Sequence, residues 1–585
     1  MRILLLSSGF NGLTQRVWLE LRQAGHEVTV ELAVSPEAMC EAVRLADPDL
    51  IICPFLRERV PAEIWRQRRT VIIHPGPKGD RGPSSLDWAI SDGEPVWGVT
   101  ALQAVEEMDA GPVWGSLLFG IGPVAPRKSE LYNGPVADAA VQLVGEVVGK
   151  ATVPTFVPEP LDYARWDVIG RLRPAMRQAD RTFCWSDDVE HVLRRIRAAD
   201  GSPGVRVELA GVPVYVYDAH PGPAAAGFGP PGSIAATQHG AVLVRTGTGA
   251  GAGTLWIGHV RRPVDFGGTG FKLPATMALS DVLPDVPNLI APLGSPQDGY
   301  PEISYRGDGD IGWLTFDFYN GAMSTRQCRR LAAALRYAIA QPTRALVLRG
   351  GEVFSNGIHL NVIEASAQPA AEAWRNINAI DDACREILTC TDQLVVAAVA
   401  GNAGAGGVML AMAADTVLLR DGAVLNPHYR TMGLYGSEYW TYVLPRRVGP
   451  VRAESLTAGC LPLGAREAAR IGLAEEVLPR PRVEFEAGVA EHVRRQVSRP
   501  DHDRRLAAKR DRREADERRK PLDAYRAEEL AEMSRDLFAD RAGFAALRRA
   551  FVTRARPTAT PGRIAGHRPA TCSAPAAPLT GSAIG

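Results

Sequence analysis

The chain has no excess of charge of either sign. Its 585 residues carry 66 lysines and arginines against 66 aspartates and glutamates, so the formal net charge is zero. A balanced chain has no overall positive field that would attract nucleic acid. We therefore expect no nucleic-acid partner, although a local basic patch could still exist within a balanced total.

Cysteine pairs and long apolar runs are also missing. The eight cysteines are scattered, with no CxxC pair and no spacing typical of metal ligands, so we expect reduced thiols in a cytoplasmic protein and no bound metal. No segment approaches the roughly 18 apolar residues that a membrane span requires, so we expect no membrane partner. The apolar run within 1–9 is too short for a signal peptide and is better explained as a first β-strand.

The chain does contain enough apolar sequence for several domains, since 46% of its residues are hydrophobic and 23% are charged. Residues 1–175 alternate helical stretches with short apolar runs of the kind that form buried parallel strands, at 2–7, 27–32, 50–53 and 71–74. This alternation predicts an α/β, Rossmann-like domain, in which ligands bind at the carboxyl ends of the strands.

The composition changes repeatedly after residue 175. Residues 176–285 hold one helix and several short β-rich runs, an arrangement that resembles a small β barrel, and we expect the glycine-rich stretch 247–253 to be a hairpin loop rather than a phosphate loop. Prolines crowd 286–301, which predicts an extended linker. A second α/β domain with charge-rich helices at its end is predicted over 302–552, and a disordered tail over 553–585, where large apolar residues are few.

A first candidate site centres on His74, which ends the fourth predicted strand, and on Asp109, which lies on a later loop in the order Met-Asp-Ala-Gly. A histidine and an aspartate at such an edge form an acid/base pair. With the intervening Gly-Pro at 82–83 and Leu-Asp-Trp-Ala-Ile at 86–90, this layout resembles the folate-dependent formyltransferases. The resemblance implies catalytic roles for His74 and Asp109, an OB-like fold for 176–285, and a pterin pocket lined by Phe55 and Leu56. An ordinary hydrophobic loop is the alternative for the last two residues.

One position departs from the formyltransferase pattern. The family has asparagine two residues before the histidine, and this chain has Ile72. Losing one oxyanion donor typically costs about 10²–10³ in rate. Either His74 and a backbone amide supply that stabilisation, or the acceptor is easier to formylate than an amine, as a thiol would be.

A second candidate site is spread over 302–480. Four stretches stand in order at the spacing of the crotonase (enoyl-CoA hydratase) family, which this half of the chain resembles, at 354–360, 395–411, 425–449 and 453–477. The resemblance implies coenzyme A as a ligand and a thioester carbonyl held by the backbone N–H groups of Ile358 and Gly406. Gly357 and Gly407 beside them allow the close approach of the backbone to that ligand.

The two glutamates that hydratases use to move water fall on Met409 and Tyr429. Since each acid/base group is worth about 10²–10⁴ in rate, we expect no hydratase activity. Tyr429, Tyr435, Glu438 and Tyr439 are expected to line the pocket instead. Tyr429 and Glu438 are the candidates for moving protons, and Tyr435 and Tyr439 are candidate walls that bind substrate. A simple salt bridge is the alternative role for Glu438.

The pairing of the two families over 1–550 resembles the hydrogenase maturation factors of the HypX/HoxX family. That resemblance implies transfer of formyl from N10-formyltetrahydrofolate to coenzyme A, followed by decarbonylation of formyl-CoA by a lyase reaction. The carbon monoxide would go to the iron of a [NiFe]-hydrogenase, with maturation proteins or the hydrogenase large subunit as partners. Two alternatives stay open: an amine or tRNA formyltransferase with a non-catalytic CoA-binding module, and a scaffold for hydrogenase assembly that performs no chemistry.

Overall fold

A computed structural model describes residues 1–224, 229–290, 292–293 and 299–569. Of the proline-rich segment, residues 291 and 294–298 lie outside the described residues, as does 570–585 of the predicted tail. The described chain forms two compact units. The N-terminal unit contains 1–224, 229–290, 299–300 and 553–569, and the C-terminal unit contains 292–293 and 301–552.

The N-terminal unit begins with a six-stranded sheet built from β1 (Arg2–Ser7), β2 (Glu27–Leu32), β3 (Leu50–Phe55), β4 (Thr70–His74), β5 (Val96–Gln103) and β6 (Val113–Gly120). The strand order is β2-β1-β3-β4-β5-β6. The first four strands are parallel, which confirms the Rossmann-like prediction, whereas β5 and β6 pair antiparallel with their neighbours. β5 runs back along β4 and places a second set of side chains beside the carboxyl end of that strand.

Six helices accompany this sheet: α1 (Gly12–Gln23), α2 (Pro36–Ala46), α3 (Ala62–Trp65), α4 (Ser85–Asp92), α5 (Lys128–Leu131) and α6 (Ala137–Ala151). Polar side chains just before α1 and α2 fix where these helices begin. The side chain of Asn11 accepts the N–H of Thr14, and that of Ser35 accepts the N–H of Ala38, so each satisfies an amide that has no partner within its helix. A one-turn π-helix, Tyr132–Val136, joins α5 to α6.

The OB-like part of the N-terminal unit follows. It contains α7 (Gln178–Arg181), α8 (Val189–Ala198), β7 (Val205–Leu209), β8 (Val212–Pro221), β9 (Ile234–Gln238), β10 (Ala241–Thr246), β11 (Gly253–Arg261), β12 (Leu273–Pro274) and α9 (Ala275–Ala278). Its antiparallel strands follow the order β7-β8-β11-β10-β9, with β12 beside β11. The stretch 247–253 connects the antiparallel pair β10 and β11, so it is the predicted hairpin loop.

The described residues of the C-terminal unit contain nine strands: β13 (Ile303–Asp308), β14 (Ile311–Phe316), β15 (Ala345–Gly350), β16 (Leu394–Val399), β17 (Ala403–Gly404), β18 (Thr416–Arg420), β19 (Val424–Asn426), β20 (Leu463–Gly464) and β21 (Glu476–Leu478). Six of them form a sheet in the order β13-β14-β15-β16-β18-β21, which is parallel except for β13. The small sheet β17-β19-β20 lies where the two loops of the second candidate site meet.

Helices α10 to α20 pack around these sheets: α10 (Thr325–Ile339), α11 (Leu360–Ala365), α12 (Pro369–Thr389), α13 (Gly406–Met412), α14 (Trp440–Val448), α15 (Pro450–Gly459), α16 (Ala465–Arg470), α17 (Arg482–Val497), α18 (His502–Arg519), α19 (Leu522–Phe538) and α20 (Phe544–Val552). The last three form the charge-rich helical end that the sequence predicts. Across the described residues, no helix combines the length and the apolar character that would carry it through a bilayer.

The segment after α20 differs from its prediction. The sequence predicts disorder from residue 553, but the described part of this segment, 553–569, packs along β2 at the edge of the first sheet. The N–H of Val30 donates to the carbonyl of Ile564 (2.9 Å), and Glu31 pairs with His567 and Arg568. A segment poor in large apolar residues is held by these ion pairs and by its few buried side chains, and it covers an edge strand that would otherwise be open to pairing.

Two candidate active sites

His74 lies at the carboxyl end of β4 and is buried, with 5% of its surface exposed. The loop after it is fixed by two donors, because the hydroxyl of Ser85 (2.7 Å) and the indole N–H of Trp97 (2.9 Å) both donate to the carbonyl of Pro75. Thr100 of β5 stands opposite His74 in the antiparallel register, and its hydroxyl donates to the carbonyl of Gly76 (2.9 Å). The backbone that follows His74 is therefore fixed by side chains from α4 and β5.

Two carboxylates flank the His74 ring. Nε2 lies 2.8 Å from Oδ2 of Asp80, which is a hydrogen bond, and Nδ1 lies 3.6 Å from Oδ2 of Asp109, which is an ion-pair distance. Asp109 is the acid that the sequence predicts. Asp80 is nearer, and the sequence reasoning missed it. The signal that could have revealed it is the pair of glycines at 76 and 79: a Cβ on Gly76 would lie 2.2 Å from Oδ2 of Asp80, so only glycine admits this carboxylate.

The two acids set the charge state of His74. Burial lowers the pKa of His74, but the hydrogen bond with Asp80 and the negative charges of Asp109 and Asp80 outweigh burial, so the pKa of His74 stands above its ordinary value. An imidazole between two carboxylates can take up a proton at little cost and pass it on. This is the arrangement required of a proton shuttle in acyl transfer.

The turn that presents Asp109 is strained. Asp109 has a φ of +55°, in the left-handed region, and one of its carboxylate oxygens accepts the N–H of Gly82 (3.4 Å). Gly111 follows at a position where a Cβ would lie 1.8 Å from the carbonyl oxygen of Gln103. A non-glycine residue held at positive φ is a common mark of a functional position.

The other residues predicted for the first site differ in their surroundings. Ile72 packs into the apolar cluster that contains Val60 and Ile64, so its side chain has no donor to replace the family's asparagine. Leu56 packs against the same cluster. Phe55 ends β3 next to β4, and its ring meets Tyr132 edge to face at 6.3 Å. Phe55 therefore lies at the edge of the sheet near His74, whereas Leu56 contributes to the core.

In the C-terminal unit, the two predicted loops meet. Gly357 has a φ of +76°, and a Cβ there would lie 3.2 Å from the backbone nitrogen of Gly406. A Cβ on Gly407 would lie 2.0 Å from the carbonyl oxygen of Ser355, so glycine is required for the loops to approach. The N–H of Gly404 donates to the same carbonyl at 2.9 Å and ties the loops together. The structure thus brings Ile358, which follows Gly357, close to Gly406.

Gly406 begins α13, and the residue before it, Ala405, has the unusual backbone angles φ +44° and ψ −125°. The first N–H groups of a helix have no acceptor within the helix and point towards its N-terminal end, where they attract negative charge. Among the described residues, no side chain caps α13. Its first N–H is therefore available to a carbonyl oxygen, as the crotonase resemblance implies.

A buried tyrosine–glutamate pair stands beside these amides. The hydroxyl of Tyr429 donates to Oε2 of Glu438 at 2.8 Å, and both residues are less than 5% exposed. A Cβ on Gly406 would lie 2.2 Å from Oε1 of Glu438, so the carboxyl group lies directly against that glycine. Burial raises the pKa of Glu438 to about 7, against the lowering effect of the Tyr429 hydrogen bond, and burial also raises the pKa of Tyr429 well above its ordinary value. The pair can hold and exchange a proton near neutral pH.

The remaining predicted residues of the second site are apolar or tightly packed. Met409 is fully buried in α13 and carries no acid. Tyr435 is half-buried, with its ring 5.4 Å from that of Trp440. Tyr439 is 1% exposed, and within the described chain its hydroxyl has no hydrogen-bond partner. Sequence reasoning also missed Asp381 and Glu529, which accept backbone N–H groups of Glu438 and Tyr439.

Two protein-family models match this chain and define its class. The family model for the C-terminal domain of formyl transferases matches residues 175–264, and the model for enoyl-CoA hydratase/isomerase matches residues 317–535. The chain is therefore a formyltransferase-like protein fused to an enoyl-CoA hydratase-like, crotonase-fold protein. Both fold predictions are confirmed.

Whole-chain relatives define the family. The hydrogenase maturation factor HoxX of Bradyrhizobium diazoefficiens is 44% identical over 97% of this chain and 97% of its own length. The crystal structure of a doubly substituted variant of HypX from Aquifex aeolicus matches with a TM-score of 0.92 and 40% identity over 98% of this chain and 100% of that one. HypX from the same organism in complex with tetrahydrofolic acid matches equally well, with a TM-score of 0.92 and 40% identity over the same shares of both chains. The chain belongs to the HypX/HoxX family of hydrogenase maturation factors, as its sequence predicts.

Proposed function

We propose that the N-terminal unit transfers a formyl group from N10-formyltetrahydrofolate to the thiol of coenzyme A, and that the C-terminal unit splits formyl-CoA into carbon monoxide and coenzyme A. The carbon monoxide is supplied to the iron of a [NiFe]-hydrogenase during its assembly, with maturation proteins or the large subunit as recipients. The observation that carries this proposal is the buried Tyr429–Glu438 pair beside Gly406, since Tyr429 stands at one of the two positions where we expect a hydratase to hold a glutamate.

The first step uses His74 as the proton shuttle. The thiol sulfur attacks the formyl carbon, the bond from that carbon to N10 breaks, and the thiol proton passes through the imidazole to N10. Asp80 and Asp109 stabilise the imidazolium that forms in between. The 3.6 Å separation between Nδ1 and Asp109 is longer than a hydrogen bond, so we assign the exchange of the substrate proton to Nδ1 and charge stabilisation to Asp109.

The choice of acceptor follows from Ile72. Without the family's asparagine, the first site has lost an oxyanion donor, a loss typically worth about 10²–10³ in rate. A thiol is a better nucleophile than an amine at neutral pH and tolerates the weaker stabilisation. The complex of the related Aquifex aeolicus HypX with tetrahydrofolic acid supports folate as the donor side of this reaction.

The second step needs a polarised carbonyl and a proton exchange, and the residues of the second site fit both. The amides of Ile358 and Gly406 polarise the formyl oxygen. Glu438 takes the proton from the formyl carbon, the carbon–sulfur bond breaks with its electron pair going to sulfur, and the sulfur is protonated from the Tyr429–Glu438 pair. The products are carbon monoxide and the free thiol, so the step is redox-neutral and needs no co-reactant.

A direct test supplies formyl-CoA to the purified protein and follows carbon monoxide with a haem trap and free thiol with a chromogenic reagent. We expect the two products to appear in equal amounts and faster than in protein-free buffer. Formation of formyl-CoA from N10-formyltetrahydrofolate without any carbon monoxide would mean that the C-terminal unit only binds coenzyme A. The alternative of a formyltransferase with a non-catalytic module would then replace this proposal.

A further inference from the structure

The turn that carries Glu438 has an unusual backbone. Glu438 and Tyr439 have φ angles of +61° and +59°, so two consecutive residues other than glycine occupy the left-handed region. Each such residue is strained by the contact of its Cβ with the backbone. Strain of this kind persists only where the surrounding structure holds the chain in place. Specific neighbouring groups must therefore hold this turn.

Two carboxyl groups from distant helices hold it. Oδ1 of Asp381, on α12, accepts the N–H of Glu438 at 2.8 Å. Oε2 of Glu529, on α19, accepts the N–H of Tyr439 at 2.9 Å, and Oε1 of Glu529 accepts the N–H of Thr441 at 2.8 Å. Consecutive N–H groups of the strained turn are thus each bound by a separate side chain, and both side chains are 1% exposed.

Capping of α14 alone does not account for these acids. Burial raises the pKa of Glu529 to about 8 and that of Asp381 well above its ordinary value. Burying these two carboxyl groups therefore lowers the stability of the folded protein. The cation nearest to Asp381 is Arg526, with Nε 3.8 Å from Oδ2, and within the described chain no hydrogen bond reaches that oxygen. A neutral acceptor would cap a helix without this cost.

The consequence of the turn is the place it gives to the Glu438 side chain. With the backbone in this conformation, the carboxyl group reaches both the hydroxyl of Tyr429 and the α-carbon of Gly406. We infer that Asp381 and Glu529 are positioning residues for decarbonylation: they fix the strained Glu438–Tyr439 turn so that the Glu438 carboxyl stays between Tyr429 and the Gly406 amide. This inference rests on the proposed function of the Tyr429–Glu438 pair.

The first arm of the test compares two substitutions at one position. Asp381→Ala removes the acceptor, so Glu438 is released and kcat for carbon monoxide release from supplied formyl-CoA should fall roughly 10²-fold, the scale of a misplaced catalytic group. KM should stay close to the wild-type value, because the oxyanion amides are untouched. Asp381→Asn retains an oxygen that can accept the N–H, so it should recover most of kcat. Glu529→Ala and Glu529→Gln should behave as the same kind of pair.

Two other acids on the same helices are matched controls. Glu386 lies on α12 with Asp381 but pairs with Arg336 at 2.7 Å, and Glu528 precedes Glu529 on α19 but pairs with Lys520 at 2.6 Å. Glu386→Ala and Glu528→Ala should leave kcat unchanged. Formyl transfer from the folate to coenzyme A should be unchanged in every variant, because the N-terminal unit carries it, and the melting temperature of the C-terminal unit reports whether the mutated unit is folded. If kcat and the melting temperature fall and KM rises in both the Ala and the Asn variants, the two acids have a structural role only, and the inference is overturned.

The second arm does not depend on activity. Hydrogen–deuterium exchange of the peptide that contains Glu438 and Tyr439 reports whether their N–H groups are bound. Exchange should be faster in Asp381→Ala than in the wild type and unchanged in Glu386→Ala and Asp381→Asn. If the wild type releases no carbon monoxide, the proposed function fails while this arm still decides whether Asp381 holds the turn. Unchanged exchange in Asp381→Ala would overturn the inference whatever the activity.

Discussion

His74 and Asp80 are joined by a hydrogen bond of 2.8 Å, shorter by far than the 3.6 Å between His74 and the predicted partner Asp109. The His74 ring is therefore clamped on its Nε2 side and left with a looser acid on its Nδ1 side. In the proposed mechanism the two acids therefore have different roles: Asp80 orients the ring and supports its positive charge, and Asp109 stays beside the nitrogen that exchanges the substrate proton.

Replacing Asp80 with asparagine tests the first of these roles. Because the hydrogen bond and charge of Asp80 raise the pKa of His74, Asp80→Asn should lower this pKa. The limb of the pH–rate profile in which formyl transfer rises with deprotonation of His74 should move to lower pH, with a reduced maximal rate. Asp92→Asn, which removes a carboxylate that pairs with Arg173 and not with His74, is the control. A limb that stays in place in Asp80→Asn would show that Asp80 does not set the state of His74.

The Tyr429–Glu438 pair should be needed for the second step alone. Tyr429→Phe removes the donor to Glu438, and Glu438→Gln removes the base; each should reduce carbon monoxide release from formyl-CoA, at least one of them by about 10²-fold or more. Formation of formyl-CoA from the folate should continue in both variants. Full activity in both would assign the proton transfer to other groups.

Crotonyl-CoA should not be hydrated. We expect Met409 and Tyr429 to stand at the positions of the two hydratase glutamates, and Met409 is fully buried. Without both acid/base groups, each worth about 10²–10⁴, hydration should be undetectable by the loss of the conjugated thioester absorbance. Turnover above that of a heat-treated sample would mean that Glu438 can handle water and that the site is less specialised than the proposal requires.

The segment 553–569 should stabilise the N-terminal unit through Glu31. This carboxylate is 1% exposed, and hydrogen bonds from His567 and Arg568 hold its pKa below its ordinary value although burial acts in the opposite direction. Glu31→Gln removes the carboxylate that His567 and Arg568 share and leaves the Arg568 guanidinium without its buried counter-charge, so it should lower the free energy of unfolding by about 3 kcal/mol or more. Glu41→Gln removes a half-exposed partner of the same Arg568 and should cost less than about 1 kcal/mol. Equal effects in urea denaturation would contradict the packing of this segment.

Much of both sites could be predicted from the sequence because local motifs carry it. The glycines at 357 and 406 and the histidine after an apolar strand each indicate a close approach or a strand end, and the structure places them accordingly. The residues that the sequence did not reveal make contacts with residues far away in the chain. Asp381 and Glu529 stand 57 and 90 positions from the N–H groups they bind, so no local spacing reveals them.

The structure differs from the sequence-based predictions in two other places, and both differences also arise from contacts that local sequence does not reveal. Asp80 reaches His74 only because the loop after β4 turns back through Gly76 and Gly79, a path that residue order alone does not define. The predicted tail 553–569 is poor in large apolar residues, and composition therefore favours disorder. Its packing depends on a buried glutamate on β2, more than 500 positions away in the chain.

The coupled reaction tests the central claim most directly. The wild-type protein, given N10-formyltetrahydrofolate and coenzyme A, should release carbon monoxide into a haem trap in proportion to the tetrahydrofolate formed. His74→Ala should abolish that release and recover it when formyl-CoA is supplied directly, because only the first step depends on His74. Tetrahydrofolate and formyl-CoA accumulating with no carbon monoxide, or release from the folate that persists in His74→Ala, would contradict the account.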